Sequence, residues 1–155
     1  MSIVVPSPVQ YREIRVADIP SLFFVRTRTR ENAYTLEQLH RAGINSSSIE
    51  QKLATSFGGW LCEVDDQVVA FCMADAAVGE LWVLAVLPEF EGRGIGAQLM
   101  TRAEQWLWQS GCNRAWLTTS LDTTLRAYGF YRRRGWTDWK IEGDQRWLEL
   151  LPTSP

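Results

Sequence analysis

The chain has 155 residues, enough for one ordinary domain and too few for two well-built ones. Hydrophobic residues make up 46% and charged residues 22%, which excludes the disordered and fibrous classes. Lys and Arg number 16 against 18 Asp and Glu, a net charge of −2, so the concentrated basic face of a nucleic-acid binder is missing.

No apolar run reaches the length of a membrane span, and Met1–Gln10 has no basic stretch followed by an apolar one. Neither a membrane segment nor a secretory signal is expected. Cys62, Cys72 and Cys112 form no C-x-x-C pair, and His40 is the one histidine. The sequence therefore predicts no metal site and no disulfide framework, but three small buried hydrophobes in a reducing, cytoplasmic compartment.

Taken in chain order, Val9–Val16 suits an edge strand, and Asp18 caps a helix whose apolar face is Ile19–Val25. Thr35 with Gln38 forms a capping box for a short helix closed by Gly43, and Ser47 with Glu50 predicts a second, running to about Ser56. Trp60–Val64 and Val68–Ala74 read as a hairpin around Asp65–Gln67. Glu80–Leu87 has the apolar run of a strand buried on both faces. A glycine-rich turn leads to a helix at Ile95–Ser110, then a strand at Ala115–Thr119 and a helix at Thr123–Arg134 closed by Gly135. Trp136–Ile141 and Arg146–Leu151 make a last hairpin. One α/β domain over 9–151 follows, with loose ends at 1–8 and 152–155, an antiparallel first half and a βαβ unit in the second.

The turn is the informative segment. Gly92, Gly94 and Gly96 follow a buried strand and open a helix, so backbone N–H groups converge where no Cβ stands in the way. The helix N-terminus adds partial positive charge and Arg93 a full one, a cradle for pyrophosphate. A plain strand-to-helix turn would need one glycine. Gly92-x-Gly94-x-x-Ala97 also satisfies the dinucleotide fingerprint. However, too little chain follows for a dinucleotide sheet, and Asp122 lies too far on to be the ribose-binding acid. No Lys-Ser/Thr pair follows the last glycine, so a kinase-type P-loop fails as well.

Val86-Leu87-Pro88 followed by Glu91-Gly92-Arg93-Gly94-Ile95-Gly96 resembles motif A of the GNAT superfamily of acyl-CoA-dependent N-acyltransferases: V-x-P, then Q/R-x-x-G-x-G/A, then a long helix. Glu91 departs from the family's Gln or Arg, and its carboxylate is expected to point outward, leaving its backbone N–H usable. Ala127, Phe130, Tyr131, Gly135 and Trp136 match a second family pattern, A-x-x-F-Y-x-x-x-G-F/W, while the frequent upstream asparagine is Thr124 here. The resemblance covers Trp60 to Leu150 well and Val9 to Phe57 in element order.

The resemblance implies a mixed, largely antiparallel sheet splayed at its centre, flanked by helices, with acetyl-CoA entering between the strands at Glu80–Leu87 and Ala115–Thr119. Leu84, Ala85 and Val86 would pair with the pantetheine arm, Glu91 to Ala97 would hold the pyrophosphate, and Thr124 would touch the arm. Tyr131 matches the family's usual proton donor to the leaving thiolate, and an acid at the place of Glu80 serves some members as base, often through water. By strand alternation Glu80, Trp82, Leu84 and Val86 share a face. Tyr131 as packing beside Phe130, and Glu80 as a solvated acid, are the competing readings.

The polar run Arg26–Asn32 is either a loop over the acceptor site, able to recognise a carboxylate or phosphate, or a solvated surface. Arg126 and Arg132–Arg134 offer contacts to the CoA 3′-phosphate, or simply suit a helix C-terminus. Among the tryptophans, Trp60, Trp82, Trp106, Trp116 and Trp136 read as packing, whereas Trp108, Trp139 and Trp147 suit an acceptor pocket or a homodimer contact. The expected function is N-acetyl transfer to a primary amine in a ternary complex. A catalytically silent acyl-CoA-binding module is the alternative, and a nucleotide-dependent oxidoreductase a third.

Overall fold

The computed structural model describes residues 8–31 and 33–153. Seven strands form one sheet: β1 (Val9–Glu13), β2 (Phe57–Val64), β3 (Gln67–Asp75), β4 (Glu80–Val86), β5 (Ala115–Ser120), β6 (Thr137–Glu142) and β7 (Gln145–Leu150). Their order is β1-β2-β3-β4-β5-β7-β6, and every neighbouring pair is antiparallel except β4 and β5. The helices are α1 (Ile19–Arg26), α2 (Leu36–Arg41), α3 (Ser46–Ala54), α4 (Ile95–Gln109) and α5 (Arg126–Arg133). This is the mixed, mostly antiparallel, splayed α/β fold that the family resemblance implied. Among the described residues no helix is long and apolar enough to cross a membrane.

Local chemistry explains most boundaries. Asp65 and Asp66 both adopt left-handed φ, 51° and 64°, which lets two residues close the β2–β3 hairpin. Thr35 and Gln38 cap α2 reciprocally, as predicted. Two starts differ from expectation. For α3 the box is two residues earlier: Ser48 N–H donates to Asn45 Oδ1 and Asn45 N–H to Ser48 Oγ, both at 2.9 Å, because asparagine caps as well as serine. For α5 the start is later, since the Asp122 carboxylate takes the Thr124 N–H (3.0 Å) and hydroxyl (2.6 Å) and holds a turn in place of the first helical residues.

The core lies on both sides of the inner strands. Phe71 and Met73 of β3 face α1 and α3, whereas Cys72 between them is fully buried toward α4. Cys62 is fully buried as well, and Cys112 half-buried. β4 is not the doubly buried strand that its apolar run suggested. Only Leu81 and Ala85 are buried, because the sheet opens along its second edge.

Candidate active site

β4 and β5 run parallel and pair at one position, Glu80 with Trp116. Gly79 sits at this vertex. Its carbonyl accepts the Trp116 N–H (2.9 Å), its φ is +76°, and a Cβ there would lie 2.5 Å from the Arg114 carbonyl oxygen. Both the backbone angle and the space demand glycine. Beyond the vertex the strands part. Leu87 N–H donates to Val69 O in β3 (2.9 Å), so the antiparallel alternation sends the N–H and C=O of Leu84 and Val86 the other way, to the open edge. Ala85 turns its backbone toward β3, opposite Phe71, and buries its methyl.

At the mouth of the opening, Gly92 and Gly94 take φ of +74° and +80°, and nothing lies within 4 Å of a Cβ built on either. Among the described residues no protein acceptor takes an N–H from Gly92 through Ala97, so these groups point outward at the start of the fifteen-residue α4. Such a cradle fits a pyrophosphate. The cradle excludes Glu91, whose N–H donates to Pro88 O (3.3 Å). Its carboxylate does not point outward either: Oε2 pairs with Arg30 Nε (3.1 Å) and Arg126 Nη1 (2.9 Å), and the side chain is 16% exposed. Two nearby guanidiniums hold it. Arg93 lies over the Phe90 ring, 4.9 Å from its centroid. The Thr124 hydroxyl is committed to Asp122.

Tyr131 lies in α5 and is 8% exposed. The motif around it fixes its place: Gly135, at φ +98°, reverses the chain, and Trp136 N–H returns to Tyr131 O (3.1 Å). Fully buried Trp136 is anchored by Nε1 on Glu104 Oε2 (3.0 Å) and meets the Tyr131 ring edge-on (6.2 Å between centroids), as Phe130 does (5.4 Å). Burial pushes the Tyr131 hydroxyl well above its ordinary value, with Cys72 adding to the rise and Arg26 opposing it. The group keeps its proton at neutral pH, which suits a donor.

β4 carries a bulge. Met73 faces Val83 and Ala74 faces Leu81, so Trp82 has no partner in β3. The extra residue corrects the simple alternation: Leu84 shares the α4 face with Cys72, while Glu80, opposite Asp75, lies on the other side of the phase change. Trp82 and Val83 both border a cavity of about 240 Å³ between α1, α2 and the sheet. Its apolar wall includes Leu22, Ile44, Ile49, Phe71 and Met73, and its polar members are Arg26, Tyr34 and Gln38. Beside it, burial raises the Glu80 carboxyl above the usual range, Asp75 adds to the rise and Lys52 opposes it. The Lys52 ammonium lies 5.1 Å from the Trp82 ring centroid.

Residues 16–136 match the sequence model of the acetyltransferase (GNAT) family. The chain belongs to this family. Mycothiol acetyltransferase of Pseudarthrobacter chlorophenolicus is 36% identical over 66 residues, 43% of this chain and 20% of that protein. An uncharacterized N-acetyltransferase of Archaeoglobus fulgidus is 36% identical over 83 residues, 48% of this chain and 56% of that protein. The chain thus spans between a fifth and just over half of these curated relatives' length. Among solved structures, PaiA N-acetyltransferase from Thermoplasma acidophilum, in complex with coenzyme A, aligns with TM-score 0.82 at 18% identity, covering 94% of this chain and 99% of that one. The ribosomal-protein-S18-alanine N-acetyltransferase of Escherichia coli aligns with TM-score 0.71 at 14% identity, covering 92% and 91%. These likenesses show the fold.

Within this GNAT domain the structure gathers the glycine loop, the Leu84 and Val86 edge and the Tyr131 helix around one opening. The polar run splits. Arg26 enters the cavity wall, Arg28 lies over Phe24 (3.8 Å), Arg30 pairs with Glu91, and Asn32 falls outside the described residues. Arg132 and Arg134 hold Asp138 and Glu104, and His40 is exposed beside Phe23. Trp82, read as packing, lines the cavity. Trp139 and Trp147 instead join Trp116 at the far end of the sheet, and neither they nor Trp108 line it. Tyr34 and the Trp82 bulge were missed, whereas Arg26 belongs to the polar run read as either a loop over the acceptor site or a solvated surface. The one advance signal was the arginine ending an otherwise apolar helix. Among the described residues no three His, Cys, Asp or Glu side chains gather as a metal group.

Proposed function

We propose that this chain transfers an acetyl group from acetyl-CoA to a primary amine by direct attack in a ternary complex. The observation that carries this is the opening of β4 from β5 after a single pair, with outward N–H groups at its mouth and Tyr131 at its flank. Acetyl-CoA brings an activated acyl carbon and a thiol leaving group. The free N–H and C=O groups of Leu84 and Val86 receive the amides of the arm as an added strand would pair, and the N–H groups of Gly92 to Ala97 bind the pyrophosphate. Glu80, its affinity for protons raised by burial, removes a proton from the incoming ammonium, directly or through water. The Tyr131 hydroxyl donates its proton to the departing sulfur.

The acetyltransferase names of the relatives and the coenzyme A complex of one structural neighbour support this reading. The three free cysteines fit a cytoplasmic location. Exposed Trp139 and Ile141 on β6 fit a homodimer contact, which sedimentation would test. Thiol release from acetyl-CoA across an amine panel tests the function itself. Amine-dependent release is expected; tight CoA binding with no release from any amine would leave the silent acyl-CoA-binding module in its place.

A further inference from the structure

We propose that Glu31, in the segment between α1 and α2, is a positioning residue for acetyl transfer: it holds the first turn of α5 and thereby aims the Tyr131 hydroxyl. This rests on the acetyl-transfer reading and adds a residue to it.

The helix needs an acceptor from outside. Leu125, the residue before α5, is extended and offers no side-chain cap, so the N–H of Arg126, the first helical residue, has no partner within the helix. Its acceptor is Glu31 Oε2, at 3.0 Å and 95 residues away in sequence. A carboxylate suits that place, because it meets both the free donor and the positive end of the helix dipole. α5 has only eight residues, with Gly129 among them, so its own hydrogen bonds hold it weakly. Its second half is fixed by the packed rings of Phe130, Tyr131 and Trp136 and by the Gly135 turn. Its exposed first residue is fixed by two acids, Glu31 on the backbone and Glu91 on the side chain.

The same contact closes a ring. Arg30 Nε pairs with Glu91 Oε2 (3.1 Å), and Arg126 Nη1 pairs with that same oxygen (2.9 Å). The Arg126 N–H then returns to Glu31, the chain neighbour of Arg30. Three segments are thus tied together: the connection between α1 and α2, the start of the glycine loop, and the helix that carries Tyr131. The connection is flanked by two cavity-lining residues, Arg26 before it and Tyr34 near its end. Under the proposed function the acceptor arrives beside Glu80, on the α1 and α3 side of β4. Glu31 links that side of the molecule to its proton donor.

The distance to the hydroxyl is short. Tyr131 follows Arg126 by five residues, about 7.5 Å along a helix axis. Helical side chains lean toward the N-terminus, so that of Tyr131 is directed back toward the turn that Glu31 holds. Misplacing a reacting group by about 1 Å costs on the order of 100-fold in rate.

The test is a mutant cycle, read by single-turnover transfer to the amine that gives the fastest thiol release, with CoA affinity measured by titration. Glu31→Ala should slow transfer roughly 30-fold and leave CoA affinity within about two-fold. Glu31→Gln makes the same change of charge but keeps an oxygen that accepts the Arg126 N–H, so it should recover all but about three-fold. In a Tyr131→Phe background, Glu31→Ala should cost less than about two-fold, because the hydroxyl it aims is gone. Equal losses in the two backgrounds, a Gln variant as slow as the Ala variant, or full speed in Glu31→Ala would overturn the assignment. So would a loss of CoA affinity in place of the loss of rate. Amide hydrogen exchange reads the tether without turnover, and the amides of α5 should exchange at least about five-fold faster in Glu31→Ala. Faster exchange in a chain that releases no thiol from any amine would sink acetyl transfer and keep the tether. Thiol release with exchange and speed both unchanged in Glu31→Ala would do the reverse.

Discussion

Toward β5, β4 presents backbone: the free amides and carbonyls of Leu84 and Val86, continued by the N–H groups that follow Gly92. Toward α1 it presents side chains, with Trp82 and Val83 sharing a cavity wall with Arg26 and Tyr34 from elsewhere in the chain. The bulge at Trp82 separates the two. A backbone surface recognises what every acyl-CoA shares, a pair of amides and a pyrophosphate, and needs little more than glycines and an open strand edge. A side-chain surface recognises what differs between acceptors, so its residues are free to come from anywhere.

The sharpest way to break this division is Tyr131→Phe, because the proposed mechanism has Tyr131, a side chain, serve the donor half. The ring contacts with Phe130 and Trp136 survive the change, so CoA affinity should hold while turnover falls by roughly 10²- to 10⁴-fold. Single-turnover kinetics beside a CoA titration separates the two quantities. Full turnover would return Tyr131 to a packing role.

Glu80 stands at the hinge of the comparison and should follow in size. Glu80→Gln should lower the neutral-pH rate by roughly 100-fold, with partial recovery at higher pH where more free amine exists. The base must be deprotonated to act, and burial holds its carboxyl above the ordinary range, so the acid limb of kcat/KM should lie above that range too. Asp75 raises this group and Lys52 lowers it. Asp75→Asn should therefore move the acid limb to lower pH, and Lys52→Met to higher pH. Shifts in the same direction would show that another group sets the limb.

The same division explains what the sequence disclosed. The donor half was legible because backbone geometry leaves residue-type marks at fixed spacing: Gly92 and Gly94 at left-handed φ, and Gly135 followed by Trp136 closing the Tyr131 helix. Much of the acceptor half was not legible. Arg26, Tyr34, Phe71 and Trp82 are dispersed along the chain and meet only after folding, and no local pattern announces a bulge that resets the phase of β4. Errors at helix starts had a similar origin, since Asn45 outcompetes Ser47 as a cap and Asp122 holds the chain in a turn before α5.

Gly94→Val tests whether the donor half is truly backbone. Nothing within 4 Å would obstruct its Cβ inside the protein, but φ of +80° costs a β-branched residue local strain and the side chain would stand in the cradle. CoA affinity should fall about ten-fold, or 1.4 kcal/mol. Unchanged affinity in a folded variant, measured by titration, would remove the cradle.

Glu91→Gln should produce the smallest change, and in the opposite direction. The Glu91 carboxylate holds Arg30 and Arg126 at the mouth of the opening, where the proposed mode of CoA binding puts the phosphate groups. With the carboxylate present the three groups sum to +1; with glutamine they sum to +2, and the side-chain oxygen still accepts one guanidinium bond. Exposed arginines interact weakly through salt water, so the gain is bounded: CoA should bind about three-fold tighter at low ionic strength, and the gain should vanish near 1 M salt, where the screening length is about 3 Å. Titrations at the two salt concentrations measure it. Weaker binding at both would mean that Glu91 positions the arginines for the phosphates, making side chains as necessary as backbone in the donor half.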